Sequence, residues 1–188
     1  MHRILSDKKR LVCAMLLPLL GSSCLSFAGD HAAHVHGYAD LTLAMENNAL
    51  HLQLTAPAES LAGFEHRAAT EAEIAHLAHI KQRLSSPGNI IRFHGTSCLL
   101  NDTEINTGAL EPSEKETSPR QPQQTPAEHA EITVSYRFHC QSPEELTAVS
   151  LELFRQFAAL EKIHAVWISS SRQGSGLLTP SKRTINLR

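Results

Sequence analysis

The sequence predicts an α+β domain: one antiparallel sheet covered on one face by two helices, in the order ββαβ, linker, βαββ. Three observations carry this expectation. Apolar residues alternate with polar ones over 35–45, 50–55 and 132–140, the two-residue period of half-buried strands. They recur every three or four residues over 70–84 and 142–160, the period of an amphipathic helix. Between these regions, residues 111–128 hold prolines at 112, 119, 122 and 126 and almost nothing apolar, which reads as a flexible linker.

The N-terminus reads as an export signal. Arg3, Lys8, Lys9 and Arg10 precede an apolar stretch over 11–20, and small polar residues begin at Gly21. The apolar stretch is about half of the roughly 20 residues a spanning helix needs, so no stable membrane insertion is expected after cleavage. Ser26-Phe27-Ala28 suits signal peptidase, giving a signal over 1–28 and a mature start at Gly29. A lipoprotein signal ending at Cys24 is the rival, but Leu20 lies one residue too far from that cysteine. Removing 1–28 takes away four bases, one acid and one histidine from totals of 17, 19 and 12. The mature chain is therefore acidic, at a net −5, and keeps 11 histidines. That charge excludes the basic stripe of a nucleic-acid binder.

Export leaves Cys98 and Cys140 in the mature chain, and two cysteines in an oxidising compartment read as one disulfide. The bond would close a loop of about 40 residues and stabilise the fold by roughly 3–4 kcal/mol. A pair of metal-binding thiolates is the alternative.

The first two strands form a hairpin. Asn47-Asn48 tolerate positive φ, and a two-residue turn pairs Met45 with Leu50, Leu43 with Leu52 and Leu41 with Leu54. His36 and His51 then face outward. A loop follows over 56–67, with Pro57 and Gly63. Thr70 and Glu73 make a capping box, and Ile74, Leu77, Ile80 and Leu84 form the stripe of the first helix. Ser85 to Asn89 ends it, and 90–93 and 97–103 are extended. After the linker, 132–140 is a strand. Ser142, Pro143 and Glu145 predict the start of a second helix, with Leu146, Val149, Leu153, Phe157 and Leu160 as its stripe. Residues 163–170 predict a strand, 173–176 a turn, and 177–187 a last extended piece. The two halves, 29–110 and 129–188, make one domain; two subdomains or a β-sandwich with attached helices are the alternatives.

Several segments resemble a known family. Ala56-Pro57-Ala58-Glu59-Ser60-Leu61-Ala62-Gly63-Phe64-Glu65-His66 is similar to the signature of the ZrgA-like (zinc-regulated protein A) family of periplasmic proteins. His36-Gly37-Tyr38-Ala39-Asp40-Leu41, the strand from His129 to Cys140, Leu153-Phe154-Arg155-Gln156-Phe157 and Gly176-Leu177-Leu178-Thr179-Pro180 are similar to it too. The resemblance implies a periplasmic protein that binds zinc and assists its uptake, with a component of a zinc ABC transporter as partner. Members carry alternating His and Asp in the connector. Here 111–128 contains no histidine, so the family's zinc-loading segment is missing while the scaffold is kept.

Four histidine groups are candidate metal ligands, because neutral imidazole and carboxylate together suit zinc. The first is His31, His34 and His36, with Asp30 or Asp40 to complete a tetrahedron. A mature start at Gly29-Asp30-His31 would also chelate Cu(II) or Ni(II) in a square plane. The second, His76 and His79, lies on the polar face of the first helix with Arg83 between them in angle, and reads as a solvated face. The third is Glu65 and His66 in the loop, with Glu59 upstream; capping of the following helix is the competing role. The fourth is His129 and Glu131, with His139 farther along the same strand. No HExxH, GxSxG, phosphate loop or CxxC is present in the sequence, so an enzyme is not expected. The leading expectation is reversible zinc coordination. A metal-independent envelope interaction module is the alternative.

Overall fold

In a computed structural model, residues 36–112, 130–170 and 172–188 are described, and all lie in one compact unit spanning 33–188. The signal region and residues 113–128 of the linker fall outside the described residues.

The hairpin forms as its alternation dictates. Strand β1 (Tyr38–Glu46) pairs with β2 (Ala49–Pro57), Met45 opposite Leu50, Leu43 opposite Leu52 and Leu41 opposite Leu54. Asn47 takes the positive φ of 52° that the turn requires. The stretch expected to be loop instead opens with a short helix, α1 (Ala58–Ala62), closed by Gly63 at φ 79°. Helix α2 (Glu71–Leu84) starts at the expected capping box: Thr70 accepts from the Glu73 backbone while the Glu73 side chain accepts from the Thr70 backbone. Leu77, Ile80 and Leu84 are buried, but Ile74 is 40% exposed, so the stripe is one turn shorter than its pattern. Strands β3 (Ile91–His94), β4 (Cys98–Asn106) and β5 (Glu131–Cys140) follow.

The predicted second helix does not form. Ser142-Pro143 opens only a 3-10 turn over Pro143–Glu145, and the chain continues as strand β6 (Ala148–Leu151) and a four-residue helix, α3 (Leu153–Gln156). All five residues of the expected stripe, Leu146, Val149, Leu153, Phe157 and Leu160, are nonetheless buried. Every residue of β6 is buried, because it is the middle strand of a small sheet and is covered on both faces. A continuous buried run has no two-residue alternation, so the helical spacing of its flanks is what the sequence displays.

Strand β7 (Lys162–Ile168) is followed by β8 (Gln173–Leu178), where a turn was expected over 173–176. The glycines there serve packing. A Cβ on Gly174 would lie 2.6 Å from the Trp167 indole, so the bare backbone makes room for that ring. The last extended piece is broken by an isolated bridge between Thr179 and Lys182, and its remainder is β9 (Thr184–Asn186).

The architecture is α+β but not a single antiparallel sheet. Six strands form a mixed sheet in the order β4-β5-β2-β1-β7-β8, in which β1 and β7 run parallel. Strands β3, β6 and β9 form a second, three-stranded sheet. Both sheets and α2 close on one apolar core. Phe93 of the small sheet meets Phe138 of the large one edge-on at 4.9 Å. The Tyr136 hydroxyl donates to the Leu84 carbonyl at 2.6 Å, and burial raises its pKa. Cys98 and Cys140, opposite each other on β4 and β5, form the expected disulfide.

Candidate metal centre

One corner of the molecule gathers metal donors, and the backbone places them. Gly37 has φ +80°, and a side chain there would press on Glu161 and strain the turn. Its amide donates to the buried Ser60 hydroxyl of α1, and its carbonyl accepts from the amides of Glu161 and Lys162. His36 is thus presented from a segment fixed on both sides. Helix α1 is fixed too, since the Ala58 amide donates to the Ala130 carbonyl beside the start of β5. Glu59 projects from its first turn, and the left-handed residue Gly63 turns the chain back so that Glu65 returns to the same corner.

His36, Glu59 and Glu65 are the one His/Cys/Asp/Glu group among the described residues whose donor atoms all lie within 4.8 Å of one another. His36 Nδ1 is 2.7 Å from a Glu59 carboxylate oxygen, and His36 Nε2 is 3.8 Å from Glu65 Oε1. The ring sits between the two carboxylates. An ionised carboxylate only accepts, so the contact with Glu59 places a hydrogen on Nδ1. In the neutral ring Nε2 then carries a lone pair, facing a second acceptor. A cation placed between Nε2 and Glu65 is within reach of a donor atom from each. Zinc bonds of about 2.0–2.2 Å at a tetrahedral angle separate two ligands by roughly 3.4 Å, so a small approach by Glu65 completes the pair. Glu59 on the far nitrogen matches the carboxylate–histidine support that orients zinc ligands.

His66, one residue past Glu65, points elsewhere. Its Nε2 lies 2.9 Å from Glu73 Oε1, and its ring packs 5.1 Å from Phe64. The other Glu73 oxygen accepts from the amides of Thr70 and Ala69, so this carboxylate belongs to the helix cap. Those two backbone bonds, with smaller help from His66 and the Thr70 hydroxyl, lower the Glu73 pKa to about 2. The cap of α2 is therefore Thr70 with Glu73, and His66 touches it only through the Glu73 carboxylate.

The other expected ligands are dispersed or undescribed. Glu131 opens β5 opposite Pro57, near α1, but is not in the donor group. His139 pairs with Ala49 at the other end of that strand, while His51 stands opposite Arg137. His76 and His79 are exposed on α2. His94 contacts the Ser150 hydroxyl, and His164 contacts Asp40 at 3.2 Å. His31, His34 and His129 lie outside the described residues, as does the Gly29-Asp30-His31 chelate. Glu59 is the donor that spacing alone did not promote. Its signal was its place in the same short segment as Glu65, where a helix and a glycine turn fold one toward the other.

Fold and corner together define an α+β scaffold that carries a partly exposed histidine–carboxylate donor set suited to a borderline divalent cation. The sequence matches the model of the ZrgA family zinc uptake protein over residues 33–187, and the chain belongs to that family. No curated protein matches it. The disulfide and the zinc-uptake family fit a protein that works outside the cytoplasm. Among the described residues, no helix is long and apolar enough to cross a membrane.

Proposed function

We propose that the protein is a periplasmic zinc-binding accessory that assists zinc uptake by reversible coordination at the corner formed by His36, Glu59 and Glu65. His36 Nε2 and Glu65 are the ligands, and Glu59 holds the ring through Nδ1. The carrying observation is the ring poised between two carboxylates on a clamped turn. Structural zinc sites are closed by four protein ligands, whereas His36 here is 56% exposed. An open site releases its ion, which suits delivery to a component of a zinc ABC transporter more than storage. The role is binding and not catalysis.

A second reading, an envelope interaction module without metal, is favoured by the histidine-free linker. Titration calorimetry of the secreted protein with zinc separates the two. Binding at pH 7 that weakens toward pH 5.5, where imidazole is increasingly protonated, and that drops at least tenfold in His36→Ala, supports the metal role. Absent binding, or affinity untouched by the substitution, overturns it.

A further inference from the structure

No residue of the three-stranded sheet takes part in the metal corner. Phe93, Val149 and Ile185 turn toward the core, so Arg92, Ser150 and Thr184, opposite one another on β3, β6 and β9, share the other face. At the end of that face Glu152 gathers three arginines from three segments. Arg183 Nη1 and Arg155 Nη1 lie 3.1 and 3.6 Å from its Oε2, and Arg92 Nε lies 3.6 Å from its Oε1. The backbone fixes their places: the Glu152 amide donates to the Ile90 carbonyl, the Leu151 amide to the Arg183 carbonyl, and the Arg155 amide to the Glu152 carbonyl. An ion-pair hub alone does not explain the cluster. Arg92 and Arg155 are 67% and 70% exposed and stand beyond hydrogen-bond distance of the carboxylate, so their pairing adds little stability. The Glu152 side chain is buried, yet its Oε2 accepts no hydrogen bond among the described residues. Three cations against one carboxylate leave a surplus of two positive charges, on a chain whose net charge is −2.

We propose that this cluster is a binding site for a phosphate dianion, free or as a monoester, held by the guanidinium groups of Arg92, Arg155 and Arg183. A phosphate monoester carries a charge of about −1.5 to −2 at pH 7, which matches the surplus. Its oxygens supply acceptors to N–H groups that Glu152 leaves unused, and the planar guanidinium fork suits phosphate bidentately. The pairing nitrogens of Arg155 and Arg183 lie within 3.6 and 3.1 Å of one oxygen, so a single oxyanion with charge-assisted bonds of about 2.8 Å reaches both. Glu152 keeps three like charges together before the anion arrives. Beside them the Ser150 hydroxyl is tied to both His94 and Thr184, which stiffens the sheet face under Arg92. Free phosphate and the headgroup of a monoester lipid present the same chemistry to this site.

Two probes test this on the zinc-free, disulfide-intact protein in chloride buffer at physiological salt. Inorganic phosphate is titrated by calorimetry, and vesicles containing phosphatidic acid are compared with phosphatidylcholine vesicles by co-sedimentation. At least one probe should bind, phosphate with a Kd under about 1 mM, and the one that binds identifies the source. Replacing Arg92 and Arg155 together by Gln cancels the surplus but leaves Glu152 its nearest partner, Arg183, and should weaken binding about tenfold or more. Arg155→Gln alone, at the most exposed of the three, weakens it several-fold, so the test does not hang on the folding of one variant. Arg137→Gln with Arg172→Gln removes the same charge elsewhere and leaves binding unchanged, as does His36→Ala at the metal corner. Failure of both probes to bind, binding that survives loss of Arg92 and Arg155, or an equal loss in the Arg137 and Arg172 control overturns the proposal.

Discussion

Two histidine–glutamate pairs lie within one short stretch of surface, and they have opposite fates. At His66 the partner Glu73 sits at the third position of a fourteen-residue helix, where both of its oxygens are used: one by the amides of Ala69 and Thr70, the other by the imidazole. At His36 the partners come from a five-residue helix and the turn after it, and the ring stands between two carboxylates. The residue types are the same. What differs is the geometry: Glu73 is bound into a capping box at the start of α2, whereas Glu59 and Glu65 turn toward opposite nitrogens of one ring. An N-terminus of a long helix presents unsatisfied amides that compete with any metal for the same oxygens.

Substitutions can break this contrast, and the largest effect is expected on zinc itself. Glu65→Gln should lower zinc affinity more than about tenfold, the loss that even an outer-shell partner causes, while Glu73→Ala leaves it within error. Calorimetric titration of both variants checks this, and a reversed order would exchange the roles of the two pairs. A smaller effect falls on stability. Thr70→Ala removes the hydroxyl half of the capping box and should destabilise by about 1 kcal/mol, roughly 2–4 °C in Tm, with zinc affinity unchanged. The smallest effect is the acid response. Glu73 has a folded-state pKa of about 2 against an ordinary 4.5, so its contribution is complete above pH 4.5 and is lost as pH falls toward 2. Acid unfolding followed by circular dichroism should be shallower in Glu73→Ala over that window; an unchanged acid limb would show that the cap does not hold in solution.

The hairpin and the first helix were legible because local chemistry and burial agree there. Alternation, the Asn47 turn and register all specify one pairing, and Thr70 with Glu73 marks where α2 begins. The segment after Ser142 was legible only as buried. Its apolar spacing reported which residues reach the core, but the partners that made it a strand, β3 and β9, come from distant sequence. Strand β8 was obscured in another way: glycines that ordinarily signal a turn are there to accommodate Trp167. At the site, His36 and Glu65 could be named from residue type and loop position. Their convergence, and the separation of His66 from them, depend on the handedness of Gly37 and Gly63 and on the clamp at Ser60. Those are three-dimensional facts that spacing does not encode.

The bond between Cys98 and Cys140 encloses every residue from β4 through the linker to β5 in one covalent ring. A single cut anywhere in that ring opens it but leaves both halves of the polypeptide attached. Beyond Glu111, whose carboxylate is held by Lys81 and Thr107, holding the domain together is therefore not a task of the linker's own sequence. This frees the rest of the linker to drift in content, histidines included, while the corner of His36, Glu59 and Glu65 stays in register.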